Sequence, residues 1–350
     1  MSKLTVLIWN NIIQYENEIN FIVDSFKKIE DIQLIYVSKF AENYKNYTYE
    51  DLYREILRLN VNIIVRREEH SCLYSIWDPE WMKLVERCEE KNIKYATFDY
   101  GYFNHYKTYM ADFSDKYNKS SIHKDWINLS ETVNWNNTLS IVQEHRSNFL
   151  KNYEIACNLK PIANLPENNY VTIWPQQDAV FLRPEFQPQN YTENGITDWI
   201  IKICSEVKNI GMVPVVKLTV PMATRRQIKI EEIKKHCLVL CDATEPITEI
   251  ESYDNINASL IAHSAFNIVG SSSVTNELVL TERPVIATGK SWFNNLEIFT
   301  EPTNWNELFK EGTRVNKNNR NKWINWWFNR QCLKSNLPEK ILEVYGNLYP

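Results

Sequence analysis

A chain of 350 residues exceeds the usual size of one domain and predicts two, each large enough to bury its own core. With 44% hydrophobic and 24% charged residues, the composition is that of a folded globular protein and not of a disordered chain. A formal net charge of -5 argues against a surface built to coat nucleic acid and leaves room only for a local basic groove. Asn, Ile, Lys and Tyr are frequent while Gly is only 7, the bias of an AT-rich coding sequence such as that of a low-GC bacterium or a phage. The cysteines, Cys72, Cys88, Cys157, Cys204, Cys237, Cys241 and Cys332, are odd in number and follow no framework, so reduced thiols are expected. The apolar run from Leu4 to Trp9 is too short for a secretory signal, and no stretch approaches the ~20 apolar residues of a membrane helix. A soluble, cytoplasmic protein of a bacterial or phage-infected cell is expected, with no membrane span.

In chain order, residues 3–9 predict a buried strand. Residues 17–29 place Ile19, Ile22, Val23 and Phe26 at helical spacing. Residues 32–37 predict a second strand, 50–59 a helix and 61–65 a third strand. A helix over 78–91 opens on Asp78-Pro79, a capping residue followed by proline at the first helical position. Residues 93–98 predict a fourth strand. Such alternation implies crossover connections and a parallel sheet covered on both faces. Residues 118–137 are polar with little periodicity, 141–159 read as a long helix, and 160–169 form a Pro/Asn-rich linker that marks a domain boundary.

The second half repeats the alternation. Strands are expected over 170–174, 213–218, 237–241, 266–269 and 284–288. Helices are expected over 195–208, 228–236, 255–263, 274–281, 304–311, 319–334 and 339–345. The division predicted is 1–160, 161–315 and a helical tail, 316–350, that packs back across both domains. In parallel α/β domains ligands bind outside the carboxyl ends of the strands, so functional residues are sought there.

The most informative stretch runs Phe266-Asn267-Ile268-Val269-Gly270-Ser271-Ser272-Ser273-Val274-Thr275-Asn276-Glu277-Leu278. A buried strand ends at Gly270, serines follow, and a helix begins. The helix start offers unpaired N–H groups to a phosphate, and Glu277 can reach a ribose hydroxyl. The bland reading is that the serines only cap the helix. The next strand, Pro284-Val285-Ile286-Ala287-Thr288, ends in Gly289-Lys290-Ser291-Trp292-Phe293. Together these segments resemble the donor-binding half of GT-B glycosyltransferases, and more narrowly the capsule polysaccharide synthesis family, which includes the Kdo transferases. Ser272, Ser273, Glu277, Pro284, Val285, Gly289, Lys290, Ser291 and Phe293 carry the resemblance.

Two further segments match that family in order. Trp174-Pro175-Gln176-Gln177-Asp178 is similar to its Pro-Leu-Gln segment, and Val216-Lys217-Leu218-Thr219 stands at its Lys-x-His-Pro segment. Lys217 fits as a phosphate counter-charge. Thr219 replaces the family's histidine and Pro221 is displaced by one position, which leaves the nucleotide open. Asp99, in Phe98-Asp99-Tyr100-Gly101, lies where the family has an acidic residue, and Asp112 and Asp115 lie in a following acidic segment. Sugar transfer needs a carboxylate to take the acceptor proton or to stabilise the oxocarbenium-like centre. The equally weighted alternative is that Asp99 caps the turn after its strand.

The resemblance implies a GT-B-like α/β fold of two Rossmann-like parallel-sheet domains facing a cleft. Residues 1–160 would take the acceptor and 161–315 the nucleotide sugar. The donor-binding set is Gln177, Lys217, Ser271, Ser272, Ser273, Glu277 and Lys290, and the carboxylate is Asp99, Asp112 or Asp115. No metal and no cofactor beyond the donor substrate is expected. The acceptor would be a saccharide or glycolipid hydroxyl. An alternative acceptor is a hydroxymethylated DNA base, and a further alternative is a sugar-nucleotide epimerase or non-catalytic binder. Arg66-Arg67-Glu68-Glu69-His70 reads as a solvated charge run, Cys237 and Cys241 as strand residues rather than metal ligands, and Trp323 and Trp327 as packing residues.

Overall fold

The computed structural model describes residues 3–10, 16–67, 79–100, 108–111, 126–175, 195–220, 228–270, 272–288, 295–301 and 315–344. The chain forms two compact units. The first takes residues 1–129, 134–142 and 326–350, and the second takes 130–133 and 143–325.

The first unit holds β1 (Leu4–Asn10), α1 (Glu16–Phe26), β2 (Ile32–Ser38), α2 (Tyr49–Arg58), β3 (Ile63–Arg67), α3 (Pro79–Glu90), β4 (Lys94–Tyr100) and β5 (Tyr109–Ala111). Its sheet runs β2-β1-β3-β4-β5, parallel except for β5, which pairs antiparallel with β4. Successive side chains on a strand face opposite ways, and the core divides accordingly. Val6, Ile8, Ile63, Val65 and Phe98 pack with Ile19, Ile22 and Phe26 of α1 on one face. Leu7, Trp9, Ile64 and Tyr95 pack with Leu52 and Ile56 of α2 and Trp81, Leu84 and Val85 of α3 on the other. The Trp81 indole N–H is satisfied by the Tyr95 hydroxyl at 3.1 Å. The three-residue β5 is an element that local pattern does not reveal. It exchanges two backbone hydrogen bonds of 2.8 Å with Cys332.

Apart from residues 130–133, the second unit starts within α4 (Ser140–Cys157) and continues with β6 (Tyr170–Trp174), α5 (Ile196–Asn209), β7 (Val213–Lys217), α6 (Ile230–Ile233), β8 (Leu238–Asp242), β9 (Glu251–Tyr253), α7 (Ile256–His263), β10 (Phe266–Val269), α8 (Thr275–Leu278) and β11 (Val285–Ala287). All six strands are parallel, in the order β11-β10-β6-β7-β8-β9. The strands expected over 213–218, 237–241 and 284–288 are present, whereas the helices expected over 228–236 and 274–281 shrink to single turns. The helix expected over 304–311 lies outside the described residues.

Several helices stop in the same way. After α2, α3 and α5 the chain turns through a residue of positive φ: Asn60 at 50°, Asn92 at 59° and Gly211 at 78°. In each case its N–H and the next one bond back to the last helical turn: Asn60 and Val61 to Leu57 and Ile56, Asn92 and Ile93 to Glu89 and Cys88, Gly211 and Met212 to Lys208 and Val207. This closure satisfies carbonyls that the helix end leaves open. It delivers the chain directly into β3, β4 and β7.

The expected boundary at 160 and the observed division differ. The units part inside α4, between Val142 and Gln143, and again inside α9 (Lys317–Asn329), between Asn325 and Trp326. The reason lies in what α4 touches. The Tyr153 hydroxyl accepts from Arg283 Nε at 3.4 Å, Asn152 donates to Asn255 at 2.9 Å, and His263 Nε2 meets the Ala156 carbonyl at 2.8 Å, all within the second unit. Arg320 of α9 is buried and caps the end of α8. Its guanidinium donates to the carbonyls of Leu278, Thr281, Arg283 and Ile298 and lies over the Phe299 ring. The tail helices from Trp326 onward, through α10 (Leu337–Val344), group with the first unit. Trp323, Trp326, Trp327 and Phe328 are buried, so the aromatic stripe is core. Among the described residues no helix is long and apolar enough to cross a membrane, and the six described cysteines are free thiols.

Candidate functional site

Parallel strands all point one way, so the carboxyl ends of the second unit's six strands share one edge. Ligands of such sheets sit outside that edge near the point where strand order reverses. Here the reversal lies between β6 and β10. Lys217 is the last residue of β7 and Asp242 the last of β8. β10 ends at Val269, and Gly270 leads through the serines into α8, which carries Glu277. The β11 end is tied to β10 by Thr288, whose N–H and hydroxyl both donate to the Val269 carbonyl, at 2.8 and 3.0 Å.

The serines divide their duties. Ser272 Oγ accepts a 3.4 Å bond from the Val274 N–H, and its carbonyl accepts from the Thr275 hydroxyl at 2.9 Å, so Ser272 shapes the turn. Ser273 is exposed. α8 spans only four residues, so the macrodipole expected of a full helix start is small here. Charge at this edge therefore comes from side chains.

Glu277 is half-buried, and Asn257 of α7 donates from Nδ2 to its Oε2 at 2.8 Å. Burial pushes the Glu277 carboxyl up to about 7. The Asn257 bond and the Lys217 cation oppose the rise, and the Asp242 charge adds to it. Lys217 is pulled below the ordinary lysine range by burial, against the combined pull of Asp242, Glu277 and Glu245. Each thus lies in the other's field. A lysine closing one strand and a carboxyl on the helix that follows another are chemically suited to a ligand that carries both phosphate and hydroxyl groups. Asp242 Oδ1 accepts from the Thr244 N–H at 2.9 Å and its hydroxyl at 2.7 Å, which fixes the turn that follows.

Lys217 and Asp242 thus close the adjacent strands β7 and β8, Ser272 and Ser273 lie in the turn after β10, and Glu277 on α8 is bonded by Asn257. Asn257 stands in an Asn-Ala-Ser triplet that chance alone explains in so Asn-rich a chain. Its strongest signal was its place in the first turn of a helix feeding β10. Gln177, Ser271, Lys290, Asp112 and Asp115 lie outside the described residues. Asp99 is found within β4, which runs on to Tyr100, and it pairs with Met110 of β5 rather than following the strand.

In the first unit the switch point falls between β1 and β3. Of the charge run there, Arg66 and Arg67 are not solvated as expected, and Glu68, Glu69 and His70 lie outside the described residues. β3 continues through Arg66 and Arg67, which are 5% and 2% exposed, and the Arg66 guanidinium lies 4.4 Å from the Trp81 ring centre. Asn10, the last residue of β1, is fully buried and donates to the Tyr36 hydroxyl at 3.2 Å. Two bases at the carboxyl end of a switch-point strand were the available signal.

No protein-family profile and no curated protein matches the chain. Solved structures similar to it include the beta Kdo 2,7 transferase of Thermosulfurimonas dismutans KpsC, 8% identical over 97% of this chain and 99% of that one, with a TM-score of 0.49. A glycosyltransferase from Rickettsia africae is 15% identical over 99% of both chains, with a TM-score of 0.36. The UDP-GlcNAc 2-epimerase of Methanocaldococcus jannaschii is 12% identical over 99% of both, with a TM-score of 0.29. At these identities no residue of this chain inherits a role. The fold class is GT-B-like: two Rossmann-like α/β units built on parallel sheets.

Proposed function

We propose that the chain is a glycosyltransferase that moves a sugar from a nucleotide-activated donor to a saccharide or glycolipid hydroxyl. The observation that carries this reading is the 2.8 Å bond by which Asn257 holds Glu277 on the helix after β10, with Lys217 closing β7 at the carboxyl edge of the same sheet. Lys217 serves the donor phosphate, and Glu277 receives a ribose hydroxyl. Ser271, Ser272, Ser273, Gln177 and Lys290 are the proposed remaining donor contacts. In the transfer, the bond from the anomeric carbon to the phosphate oxygen breaks and a bond to the acceptor oxygen forms. The acceptor proton goes to a carboxylate, proposed to be Asp99, Asp112 or Asp115 of the first unit. The leaving phosphate gains charge, which Lys217 offsets. The aromatic helix that a DNA acceptor would have used for stacking is buried core, so no observation favours that acceptor.

The test is a melting-temperature screen with UDP, CMP, GDP and dTDP, followed by a transfer assay with the sugar nucleotide of the base that binds. A ligand at a hundred times its Kd adds about 2.7 kcal/mol to native stability, a shift readily seen. At least one nucleotide is expected to raise the melting temperature, and Lys217→Ala to abolish that rise. Silence across the panel would count against the reading. Conversion of a UDP-sugar with no acceptor present would replace the transferase by an epimerase.

A further inference from the structure

Asn257 and Glu277 come from different helices and meet in one hydrogen bond of 2.8 Å. Asn257 Oδ1 is buried and has no hydrogen-bond partner among the described residues. An amide that gives its N–H to a carboxyl and leaves its own carbonyl unanswered is oriented by that single bond. Its backbone is held by α7, where the neighbouring Ile256 and Ala258 are both buried. With Oε2 engaged, Oε1 is the carboxyl oxygen that no described residue fills.

We propose that Asn257 is a positioning residue of the nucleotide site: it favours the ionised form of Glu277 and holds it turned so that Oε1 accepts a ribose hydroxyl, and it thereby tunes the pH at which nucleotide binds. This rests on the nucleotide-donor reading above. Among the described residues, the charged groups facing Glu277 are Lys217 from β7 and Asp242 from β8, while Glu245 acts on Lys217 from the turn beyond β8. Asn257 and Lys217 favour the carboxylate, whereas burial and Asp242 favour the acid. Burial prevails in the free protein, where the carboxyl titrates at about 7. Once protonated, Glu277 has an O–H to donate, and the buried Asn257 Oδ1 can accept it only if the amide turns over. The acceptor geometry offered to the ribose is then lost.

The experiment measures the affinity of UDP, CMP, GDP and dTDP by titration calorimetry from pH 6 to pH 8.5. It compares the native chain with Asn257→Ala, Asn257→Asp and Glu277→Gln. If only ionised Glu277 is competent, native affinity falls about ten-fold from pH 8 to pH 6, the ratio of the competent fractions. Glu277→Gln is expected to keep only the pH dependence of the nucleotide's own phosphate. Asn257→Ala removes the N–H that favours the carboxylate, so its binding midpoint moves to higher pH. Asn257→Asp keeps the side-chain shape, sets a second acid beside Glu277 and moves the midpoint further, so it carries the test should the alanine variant fold poorly. A uniform loss of affinity in the Asn257 variants with the midpoint unmoved overturns the proposal, and so does a native profile no steeper than that of Glu277→Gln. If the native chain binds none of the four nucleotides, the donor-site reading itself fails.

Discussion

Glu277 sits where its own charge is disfavoured. Its carboxyl titrates at about 7 in the folded chain against an ordinary 4.5, so the native state binds its proton more tightly than the unfolded state does. The stability linked to that proton is complete below pH 4.5 and is lost as pH rises through 7. Replacing Glu277 by the uncharged Gln is therefore expected to stabilise the protein at pH 8 by about 1–2 kcal/mol and to change little at pH 5. The figure is reduced from the full equivalent of the shift because the side chain keeps some contact with water. Urea unfolding at the two pH values checks this, and an equal effect at both would refute it. At this scale the sequence was legible where a residue's place follows from a strand or the turn after it, as for Lys217 at the end of β7 and Glu277 on the helix after β10. Asn257 was not legible, because its meaning depends on a partner twenty residues away on another helix. Arg66 and Arg67 were misread because a strand was assumed to end where its apolar run ends, at Val65.

Among elements, the recurrent helix stop explains how a chain with 7 glycines builds so many crossovers. A left-handed residue must close each stop, and asparagine tolerates that conformation better than any other side chain of its size. Asn60 and Asn92 take positions where glycine is usual, while Gly211 keeps one. Asn92→Gly is expected to be neutral or slightly stabilising, and Asn92→Ala to cost about 1 kcal/mol, as read from denaturant midpoints. Equal stability of the two variants would show that backbone strain does not govern this stop. The long helices and the buried strands were legible because their apolar periodicity runs over many residues. β5 and β9 were not, being three-residue edge strands whose pairing is set by distant neighbours. The helices at 230–233 and 275–278 were overestimated because a short apolar spacing looks the same for one turn as for two.

For the whole molecule, the first unit is discontinuous. Its α1-side core includes Cys332, Leu337, Ile341 and Leu342 from the far end of the chain, and Cys332 extends the sheet beyond β5. Ile341→Ala is expected to destabilise that unit by about 2–5 kcal/mol. Hydrogen exchange should then quicken in β1 and β3 while β6 and β10 keep their protection, and a uniform change across both sheets would contradict the division. Composition placed the boundary in the Pro/Asn-rich linker. It could not show that α4 belongs mostly to the second unit, since that depends on contacts with Asn255, His263 and Arg283. The discontinuity also bears on synthesis. A ribosome makes β1 to β4 early, but the residues that cover their α1-side face follow only after all of 143–325 has been translated. At roughly 5–20 residues per second, the nascent first unit carries an unfinished apolar face for about 10–40 s. The second unit, almost entirely one contiguous stretch, can close during that wait. The half of the protein that is translated first is therefore completed last, and it is the half that a chaperone holding the nascent chain would engage.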